Sequence, residues 1–340
     1  MEPLVRDVDE NGLLQRIFAR IDPGGMTILG VGDDAAVVRA PDGRFVVSTD
    51  VLVENHHFRR QWSTGYDVGW RAGVQNLADI AAMGAVPTAV VVALGLPRDL
   101  PVRWVEEFFL GLNQVCQDVG AAVVGGDLSG SPVVFASVTV HGDLQYRHPV
   151  VRSGARPGDV VAHAGNRGWS AAGLAVLSEG GEFQAGSAVA RAVDLFLRPE
   201  APVSCAVAAA ESATSMMDVS DGLLRDATRI AEASSVGFVL QDPLNVWTDS
   251  TLGEVATFVG QEHSQGAAQA TAQLPNLVHT WLLTGGEDHG FLATFPAGSK
   301  LPPHFMEIGR VVEQEVGQPR VHVEGVDTVG LHSGWDHFSS

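Results

Sequence analysis

Acidic side chains recur beside glycines and at the ends of apolar segments, and they are the residues that could do chemistry. They are Asp33, Asp34, Asp50, Glu54, Asp79, Asp127, Asp218, Asp221, Glu287 and Asp288. Glycine beside a carboxylate lets a backbone approach a phosphate or a metal closely. Oxygen-rich sets without cysteine or histidine spacing favour Mg²⁺, Mn²⁺ or Ca²⁺ over Zn²⁺. The set predicts a divalent-metal site, although each aspartate alone also suits an ordinary turn or helix N-cap.

Asp79 differs from the others because its segment, 76–83, is apolar and predicted to be helical. An unpaired buried carboxylate costs on the order of several kcal/mol, so a cationic partner is expected. Arg71 lies two helical turns earlier, and the one lysine, Lys300, is remote in the sequence. A divalent cation is the simplest partner for Asp79.

Net charge and lysine usage restrict the possible partners. Lys+Arg number 21 against Asp+Glu 40, for a formal net charge of −19. Such a surface repels nucleic acid and anionic membranes. Lys300 follows Gly298-Ser299, which excludes a phosphate-binding loop of the Gly-x-x-x-x-Gly-Lys type. Any bound phosphate must therefore be neutralised by metals and arginines.

Two segments could meet a polyphosphate. Asp218-x-Ser220-Asp221-Gly222 places carboxylates at a strand end and a helix start, where bridging Mg²⁺ and free backbone N–H groups could hold phosphate oxygens. Arg152 and Arg156 either contact phosphate directly or lie solvated in a linker. Both readings remain open from the residues alone.

Composition and segment patterns predict a soluble, cytoplasmic protein. Apolar residues make up 45% and charged residues 18%, as in globular chains. The uncharged stretch 80–97 reaches membrane-spanning length, but Gly84 and Pro87 interrupt it, so we expect a helix end, a turn and a buried strand. Residues 1–7 lack the basic-then-apolar pattern of a secretion signal, and Cys116 and Cys205 have no metal-site spacing. We therefore expect neither a nucleic-acid nor a membrane partner.

Helical and strand periodicities alternate along the chain, which predicts an α/β or α+β fold with mixed sheets flanked by helices. The predicted helices are 13–21, 67–83, 102–116, 169–177 and 222–233, and the predicted strands are 45–50, 88–95, 121–124, 133–141, 160–164, 216–219 and 277–283. Residues 143–156, rich in Arg, His, Pro and Gly, form the predicted linker, giving domains 1–145 and 146–340. The polar segment 262–273 is predicted to be a surface insertion.

Nearly the whole chain resembles the thiamine-monophosphate kinase family of the PurM-like ATP-binding superfamily. The motifs that carry the resemblance, in the family's order, are Gly32-Asp33-Asp34-Ala35-Ala36, Thr49-Asp50-Val51-Leu52-Val53-Glu54 with His57-Phe58, Asn76-Leu77-Ala78-Asp79-Ile80-Ala81-Ala82-Met83-Gly84, Gly125-Gly126-Asp127, Arg152-Ser153-Gly154-Ala155, Asp218-Val219-Ser220-Asp221-Gly222-Leu223, Gly285-Gly286-Glu287-Asp288, Ile308-Gly309-Arg310 and Gly334-Trp335-Asp336-His337-Phe338. The chain departs from the family pattern at Leu128, where threonine is common, and at His289-Gly290, where Tyr-Glu is common.

The resemblance implies a PurM-like enzyme that uses ATP to phosphorylate thiamine monophosphate to thiamine diphosphate, the last step of thiamine diphosphate biosynthesis. Transfer would be direct and in line, with several Mg²⁺ ions and no covalent nucleophile. The N-terminal domain would bind ATP and metals and form a homodimer. By the family pattern, the metal ligands would be Asp33, Ser48, Thr49, Asp50, Asp79, Asp127, Asp218 and Asp221. ATP would contact Gly126, Asp127, Arg152 and Ser220, and the thiamine phosphate would contact His57, Glu287 and Trp335.

Other functions are distinguishable on particular residues. Selenophosphate synthetase uses an N-terminal cysteine or selenocysteine with a nearby lysine, but no cysteine precedes Cys116 and no lysine precedes Lys300. Aminoimidazole ribonucleotide synthetase and the hydrogenase-maturation member share the acidic metal chemistry but give no reason for the terminal Gly-Trp-Asp-His-Phe. Trp335 there either docks the tail on the core or stacks on a ligand ring. A non-catalytic acidic nucleotide-binding protein is the remaining alternative, and turnover distinguishes it.

Overall fold

The structure is a computed structural model that describes residues 3–31, 35–180, 182–248, 251–263, 267–328 and 331, with only the backbone described within 261–275. The chain forms two compact units, Met1–Pro149 and Val150–Ser340. Helices and mixed sheets alternate in both units, which confirms the predicted α/β fold class.

Unit 1 is built on a four-stranded mixed sheet. Its helices are α1 (Glu10–Phe18), α2 (Gly65–Ala82) and α3 (Val102–Asp118), and its strands are β1 (Thr27–Leu29), β2 (Val37–Val38), β3 (Val46–Val53), β4 (Val86–Leu96), β5 (Ala122–Gly130) and β6 (Phe135–Asp143). The sheet order is β3-β6-β4-β5, antiparallel except for the parallel β4–β5 pair, and β1 and β2 form a separate antiparallel pair.

Helix α2 starts with a reciprocal pair of hydrogen bonds. The Thr64 backbone N–H donates to Asp67 Oδ2 at 2.8 Å, and the Asp67 N–H donates to Thr64 Oγ1 at 3.3 Å. This capping box satisfies N–H groups that the helix itself leaves unpaired. It places the helix start two residues before the predicted one. The helix ends before Gly84, whose φ of +75° suits glycine.

Helices α2 and α3 pack on one face of the sheet at very close range. A Cβ atom at Gly69 would overlap the carbonyl oxygen of Phe108, and one at Gly111 would overlap the carbonyl oxygen of Tyr66. Gly65 faces α3 in the same way, one turn before Gly69. Absence of side chains at these positions lets the two helix backbones touch, which fixes α2 and its polar residues relative to the sheet.

The other face of this sheet, here called the outer face, exposes apolar side chains. Val47 is 53% exposed, Val51 is 41% exposed and Val91 is 36% exposed. Ala36 and Val38, from the β2 region, pack against another part of the face, around Ala89, Ala122 and Val124. The outer face is therefore only partly covered within the described part of unit 1.

Unit 2 is built on a six-stranded sheet. Its strands are β7 (Val160–Ala164), β8 (Ser215–Val219), β9 (Gly237–Leu240), β10 (Gly290–Phe295), β11 (Met306–Val312) and β12 (Val321–Val323). Its helices are α4 (Trp169–Glu179), α5 (Ala188–Leu197), α6 (Val203–Ala209), α7 (Leu223–Ser234), α8 (Pro243–Val246), α9 (Thr251–His263) and α10 (Ala267–Thr284). The order is β12-β9-β11-β7-β10-β8, antiparallel except for the parallel β12–β9 pair.

Two hydrophobic clusters stabilise unit 2. In the first, Leu223, Ala227 and Ile230 of α7 pack on sheet residues that include Met217 and Phe238. The second cluster is formed by α4, α5, α9 and α10. Its buried residues include Trp169, Ala172, Val176, Val189, Val193, Leu252, Val255, Val278, Trp281 and Leu282. These clusters hold β8, α7 and α10 in place, so the loops that follow β8 and α10 begin at well-packed elements.

The predicted strand 277–283 is wrong, because this segment forms the last part of α10. Val278, Trp281 and Leu282 are buried at helical spacing, 8%, 5% and 0% exposed. Because the residues that precede them in α10 are polar, the sequence pattern does not show that the helix begins earlier. The predicted insertion 262–273 lies in the backbone of α9 and α10 except for 264–266, which fall outside the described residues.

Two predicted strand ends are also wrong. Asp50 lies in the middle of β3, and β5 continues through Asp127 to Gly130. A carboxylate inside a strand faces one side of the sheet, so its neighbours are decided by register rather than by a loop. Stretch 88–95 does form a strand, as predicted, within β4. Among the helices that the structure describes, none is long and apolar enough to cross a bilayer.

Replacing Gly69 with alanine should destabilise unit 1 strongly. The added methyl group meets the Phe108 carbonyl and forces α2 and α3 apart, at a cost of at least about 2 kcal/mol in the free energy of unfolding. Gly253→Ala in α9 is the matched control, because no atom lies within 4 Å of the new Cβ. That variant should gain about 0.5–1 kcal/mol from helix propensity. Urea unfolding measures both, and equal effects would contradict the close packing of α2 and α3.

Candidate active site

Three of the predicted site residues of unit 1 meet between β3 and α2. Ser48 and Asp50 lie two residues apart on β3 and therefore face the same side of the sheet. Ser48 Oγ donates to Asp79 Oδ2 of α2 at 2.6 Å. The Asp50 backbone N–H donates to Asn76 Oδ1 at 3.0 Å, and Asn76 is fully buried. Asp79 thus has a hydroxyl partner, and Asn76 joins the site from one turn earlier.

Thr49 and Asp127 lie elsewhere, on the outer face. Thr49 Oγ1 donates to the Val138 carbonyl at 3.0 Å and accepts from Thr139 Oγ1 at 3.0 Å. Asp127 is exposed on the edge strand β5, and its ladder partner on β4 is Ala93. Since directly paired residues share a face, the register places Asp127 on the side of Thr49. The predicted unit 1 metal ligands therefore divide between two faces, and Asp33 lies outside the described residues.

A cavity of about 910 Å³ in unit 1 reaches Asp127. It is lined on one side by Gly125, Gly126 and Asp127, and also by Val91 and Phe18. A Cβ at Gly126 would overlap a backbone oxygen of β4, so only glycine allows β5 its course here. The cavity lining therefore combines apolar residues with charged ones, among them Asp127.

His57 is held in a tight turn after β3. The Val53 backbone N–H donates to His57 Nδ1 at 3.0 Å. Arg71, 3% exposed, donates from Nη1 to the His57 carbonyl at 3.2 Å. Because Nδ1 accepts a hydrogen bond, a neutral His57 carries its proton on Nε2 and is a donor there. His56 is exposed, so only one of the adjacent pair is fixed by these contacts.

In unit 2, two loops place the predicted site residues side by side. One loop links β8 to α7 and contains Ser220 and Gly222; the other follows α10 and contains Glu287. The Glu287 N–H donates to the Ser220 carbonyl at 2.8 Å. Gly222 has φ +116°, and a Cβ there would lie 2.6 Å from the Thr284 carbonyl oxygen. The predicted nucleotide contact Ser220 and the predicted substrate contact Glu287 are therefore neighbours within unit 2.

Asp221 is bound to an arginine of the helix that follows it. Arg229 Nη2 lies 2.8 Å from Asp221 Oδ2, and Arg229 Nη1 lies 2.6 Å from Asp226 Oδ1. Asp226 Oδ2 also accepts the Asp221 backbone N–H at 3.1 Å. Burial, and after it the charge of Asp218, raises the pKa of Asp226 to about 7, while Arg229 acts in the opposite direction. Asp226 and Arg229 thus hold the turn at Asp221.

The two helices that begin beside these loops differ at their first turn. Asp288 accepts the backbone N–H groups of Gly168 and Ser170 at the start of α4, at 2.6 and 2.8 Å. Helix α7 has Gly222 at its N-cap and no side-chain cap. Since the N–H groups of a helix start attract anions, α7 is the one that can receive a phosphate.

The remaining predicted residues do not join one cluster. Arg152 lies in a 3₁₀ turn with an exposed side chain, and its carbonyl accepts from Ser234 Oγ at 2.7 Å. Asp218 is buried, with Oδ2 3.7 Å from His289 Nδ1. Trp335 falls outside the described residues. Across the described parts of the chain, no three His, Cys, Asp or Glu side chains form a group that could hold a metal ion.

Sequence reasoning missed Asn76, Arg167, Ser170, Asp226 and Arg229. Asp226 and Arg229 could have been found, because an acid and a base three residues apart on a helix are typical of an ion pair with each other. Burial of Arg167 has no local sign in Gly165-Asn166-Arg167-Gly168. Only the structure shows that Arg167 is buried and bonded to Leu282 and Asp288.

Comparison with known proteins identifies the family of this chain. Models of AIR synthase related protein match the chain at residues 32–144 for the N-terminal domain and 156–260 for the C-terminal domain. Thiamine-monophosphate kinase of Mycobacterium tuberculosis is 40% identical over 99% of this chain and 93% of that protein. The chain belongs to the thiamine-monophosphate kinase family. It is therefore an enzyme, a kinase.

Other members of the thiamine-monophosphate kinase family support the assignment. The Corynebacterium glutamicum protein is 37% identical over 90% of this chain and 88% of its own length. A crystal structure of the Aquifex aeolicus kinase superposes with a TM-score of 0.70 at 32% identity, covering 86% of this chain and 90% of that one. A structure of AaThiL complexed with AMPPCP and TMP has a TM-score of 0.72 at 31% identity and covers 97% of each chain.

The departure from the family at His289-Gly290 has a physical counterpart in β7. A Cβ at Gly290 would lie 2.7 Å from Cε1 and Nε2 of His163, so the His163 ring fills the space beside Gly290. His163 is 0% exposed, and neither ring nitrogen has a hydrogen-bond partner among the described residues. Burial, with the charge of Arg167 next, lowers the pKa of His163 to about 3.

Because His163 is neutral in the fold but protonates in the unfolded chain below about pH 6.5, its contribution to stability is complete above that pH. That contribution is lost as the pH falls towards 3. His163→Leu removes the titrating ring and should therefore weaken the dependence of the free energy of unfolding on pH. Between about pH 6.5 and 4.5 wild type should lose about 2–3 kcal/mol more than the variant. Urea unfolding at several pH values measures this, and parallel curves would show that His163 is not buried as a neutral ring.

Proposed function

We propose that this chain transfers the γ-phosphoryl group of ATP to thiamine monophosphate, giving thiamine diphosphate and ADP. The observation that carries the proposal is the 40% identity over 99% of the chain to a thiamine-monophosphate kinase. Ser220 beside Glu287 in unit 2 supports it, since those are the residues at which the family pattern puts nucleotide and substrate. The structure of AaThiL complexed with AMPPCP and TMP supports a nucleotide and a second phosphate compound as the two ligands.

The transfer is direct and in line in this proposal. A terminal phosphate oxygen of thiamine monophosphate attacks the γ-phosphorus of ATP, and the bond from that phosphorus to ADP breaks. Burial raises the pKa of the Cys116 thiol to about 12, so that cysteine is no thiolate nucleophile. Catalysis then depends on positioning the two phosphates and neutralising their charge.

Several Mg²⁺ ions would supply that neutralisation. The proposed ligands are Asp33, Ser48, Thr49, Asp50, Asp79, Asp127, Asp218 and Asp221. Their carboxylate and hydroxyl oxygens are donors that suit Mg²⁺, and the proposal is supported by the hydrogen bond from Ser48 to Asp79 and by Asp50 facing the same side of β3 as Ser48. When bound, Mg²⁺ offsets negative charge on phosphate oxygens. The chain's own part is to hold these oxygens in place.

The nucleotide and the substrate would be bound by different groups. Gly126 and Asp127 at the cavity of unit 1, with Arg152 and Ser220 of unit 2, are the proposed ATP contacts. His57, Glu287 and Trp335 are the proposed thiamine phosphate contacts. His57 would give an N–H from Nε2 to an acceptor on the substrate, because its Nδ1 is used by Val53. We also infer a cytoplasmic location, on composition.

We further propose that unit 1, with its ATP and metal residues, is also the dimerisation domain, through its outer face. Val47, Val51 and Val91 expose apolar area on that face, each at least 36% exposed. Apolar patches of this kind on a sheet are usual at interfaces, and a two-fold axis would bury the same patch on both copies.

Release of ADP tests the reaction. The wild-type protein should release ADP from ATP when both thiamine monophosphate and Mg²⁺ are present, and removal of either should stop it. ATP consumption without thiamine monophosphate, or none with it, would contradict the proposal. A coupled pyruvate kinase and lactate dehydrogenase assay measures the rate.

Asp127→Asn should lower kcat by at least about 100-fold, in the range of other lost electrostatic contributions. Asp118→Asn, on the exposed end of α3, removes the same charge at a residue that does not line the cavity and should keep the wild-type rate. Circular dichroism checks that both variants are folded. Equal rates for the two variants would remove Asp127 from the site.

Val47→Asp should convert the dimer to a monomer, because it places a charge in the apolar outer face. Leu110→Asp is the matched control, since Leu110 is 44% exposed on α3, away from that face. Sedimentation equilibrium of the wild type and both variants measures the mass. A monomeric wild type, or a dimeric Val47→Asp variant, would show that the outer face is not the interface.

A further inference from the structure

Glu287 has an uncommon backbone that must be held from outside. Its φ is +67°, a left-handed conformation that non-glycine residues rarely adopt, and His289 in the same loop has φ +52°. Such conformations persist only where surrounding contacts determine them. The contacts of Glu287 are therefore a guide to which residues set its orientation.

The two peptide groups of Glu287 are fixed by two different elements. Its N–H donates to the Ser220 carbonyl at 2.8 Å, at the β8–α7 turn. Its C=O accepts from Ser170 Oγ of α4 at 2.9 Å. Ser170 is 2% exposed, and the Leu195 carbonyl at 3.3 Å is a longer alternative acceptor for the same hydroxyl. The Ser170 hydroxyl is thus the side-chain contact that fixes the Glu287 carbonyl.

Asp288 locks the next residue of the loop to the same helix. Its Oδ2 and Oδ1 accept the backbone N–H groups of Gly168 and Ser170 at 2.6 and 2.8 Å. Its Oδ2 also lies 3.3 Å from Nη1 of Arg167. Asp288 is 2% exposed and Arg167 is 1% exposed, so both charges are buried and neutralise one another.

Arg167 ties the start of the loop to the same point. Its Nε donates to the Leu282 carbonyl at 2.8 Å, and its Nη2 donates to the Gly285 carbonyl. Leu282 lies in the last turn of α10 and Gly285 directly follows the helix, where a helix has no internal donors for its last C=O groups. The segment 285–288 is therefore bound at its first residue by Arg167, at Glu287 by Ser170 and at its last residue by α4.

We propose that Ser170, Arg167 and Asp288 are positioning residues that aim the Glu287 side chain at the thiamine substrate. This rests on the proposed function, in which Glu287 contacts that substrate. Ser170 is the member whose side chain bonds to Glu287 directly, whereas the side chains of Arg167 and Asp288 hold the end of α10 and the start of α4. Loss of the Ser170 hydroxyl should therefore weaken substrate binding and leave nucleotide binding in place.

Ser170→Ala tests this role. The KM for thiamine monophosphate should rise about three- to tenfold, as expected for one lost hydrogen bond, while the KM for ATP changes less than about twofold. Titration calorimetry of thiamine monophosphate into protein saturated with Mg²⁺ and AMPPCP should give the same increase in Kd. Ser215→Ala is the matched control, because Ser215 is also buried but bonds to Thr294, outside the loop. It should leave both KM values unchanged.

Other outcomes would overturn the proposal. An unchanged KM in Ser170→Ala, equal increases for both substrates, or the same increase in Ser215→Ala would each show a structural role only. If Ser170→Ala does not fold, Ser170→Cys keeps the volume with a weak donor and should show the same selective increase. Absence of turnover in the wild type would instead refute the proposed function and leave the substrate titration to decide the role of Ser170.

Discussion

Buried negative charge in a chain with one lysine is the constraint on which this structure depends. Asp218, Asp226 and Asp288 are at most 5% exposed in unit 2, and each needs a partner because an isolated buried carboxylate costs several kcal/mol, roughly. Arg229 forms an ion pair with Asp226, and Arg167 forms one with Asp288. In unit 1 the Ser48 hydroxyl donates a hydrogen bond to the carboxylate of Asp79. The loops at the proposed site lie where these partners place them.

The same partners explain how a site can be rigid although it is made of loops. Removing one member of a buried ion pair typically costs about 3–5 kcal/mol, so the segments attached to Arg167 and Asp288 are held firmly. Backbone contact between the β8–α7 turn and the segment after α10, through Gly222 and Gly286, leaves little room for movement. The carboxylate of Asp288 already occupies the start of α4. In the proposed function, the uncapped start of α7 would therefore be the helix start that receives a phosphate.

Much of the fold could be predicted from local patterns, and the site only in part. Strand β4 and helix α3 have clear periodicity, and the family motifs mark Asp79 and Ser220. Which carboxylates meet could not be predicted, because Thr49 and Asp127 share a face only through the register of four strands. The strand prediction for 277–283 is wrong because a short apolar run does not distinguish a strand from a helix end. A buried arginine such as Arg167 leaves no local pattern.

The stereochemical course at phosphorus tests the central claim most directly, that the phosphoryl group passes from ATP to thiamine monophosphate in one direct transfer. ATP made chiral at the γ-phosphorus with oxygen isotopes and sulfur would be reacted with thiamine monophosphate, and the configuration of the transferred group would be determined by ³¹P NMR. A single in-line displacement predicts inversion. Retention would require a phosphorylated enzyme intermediate and would contradict the account.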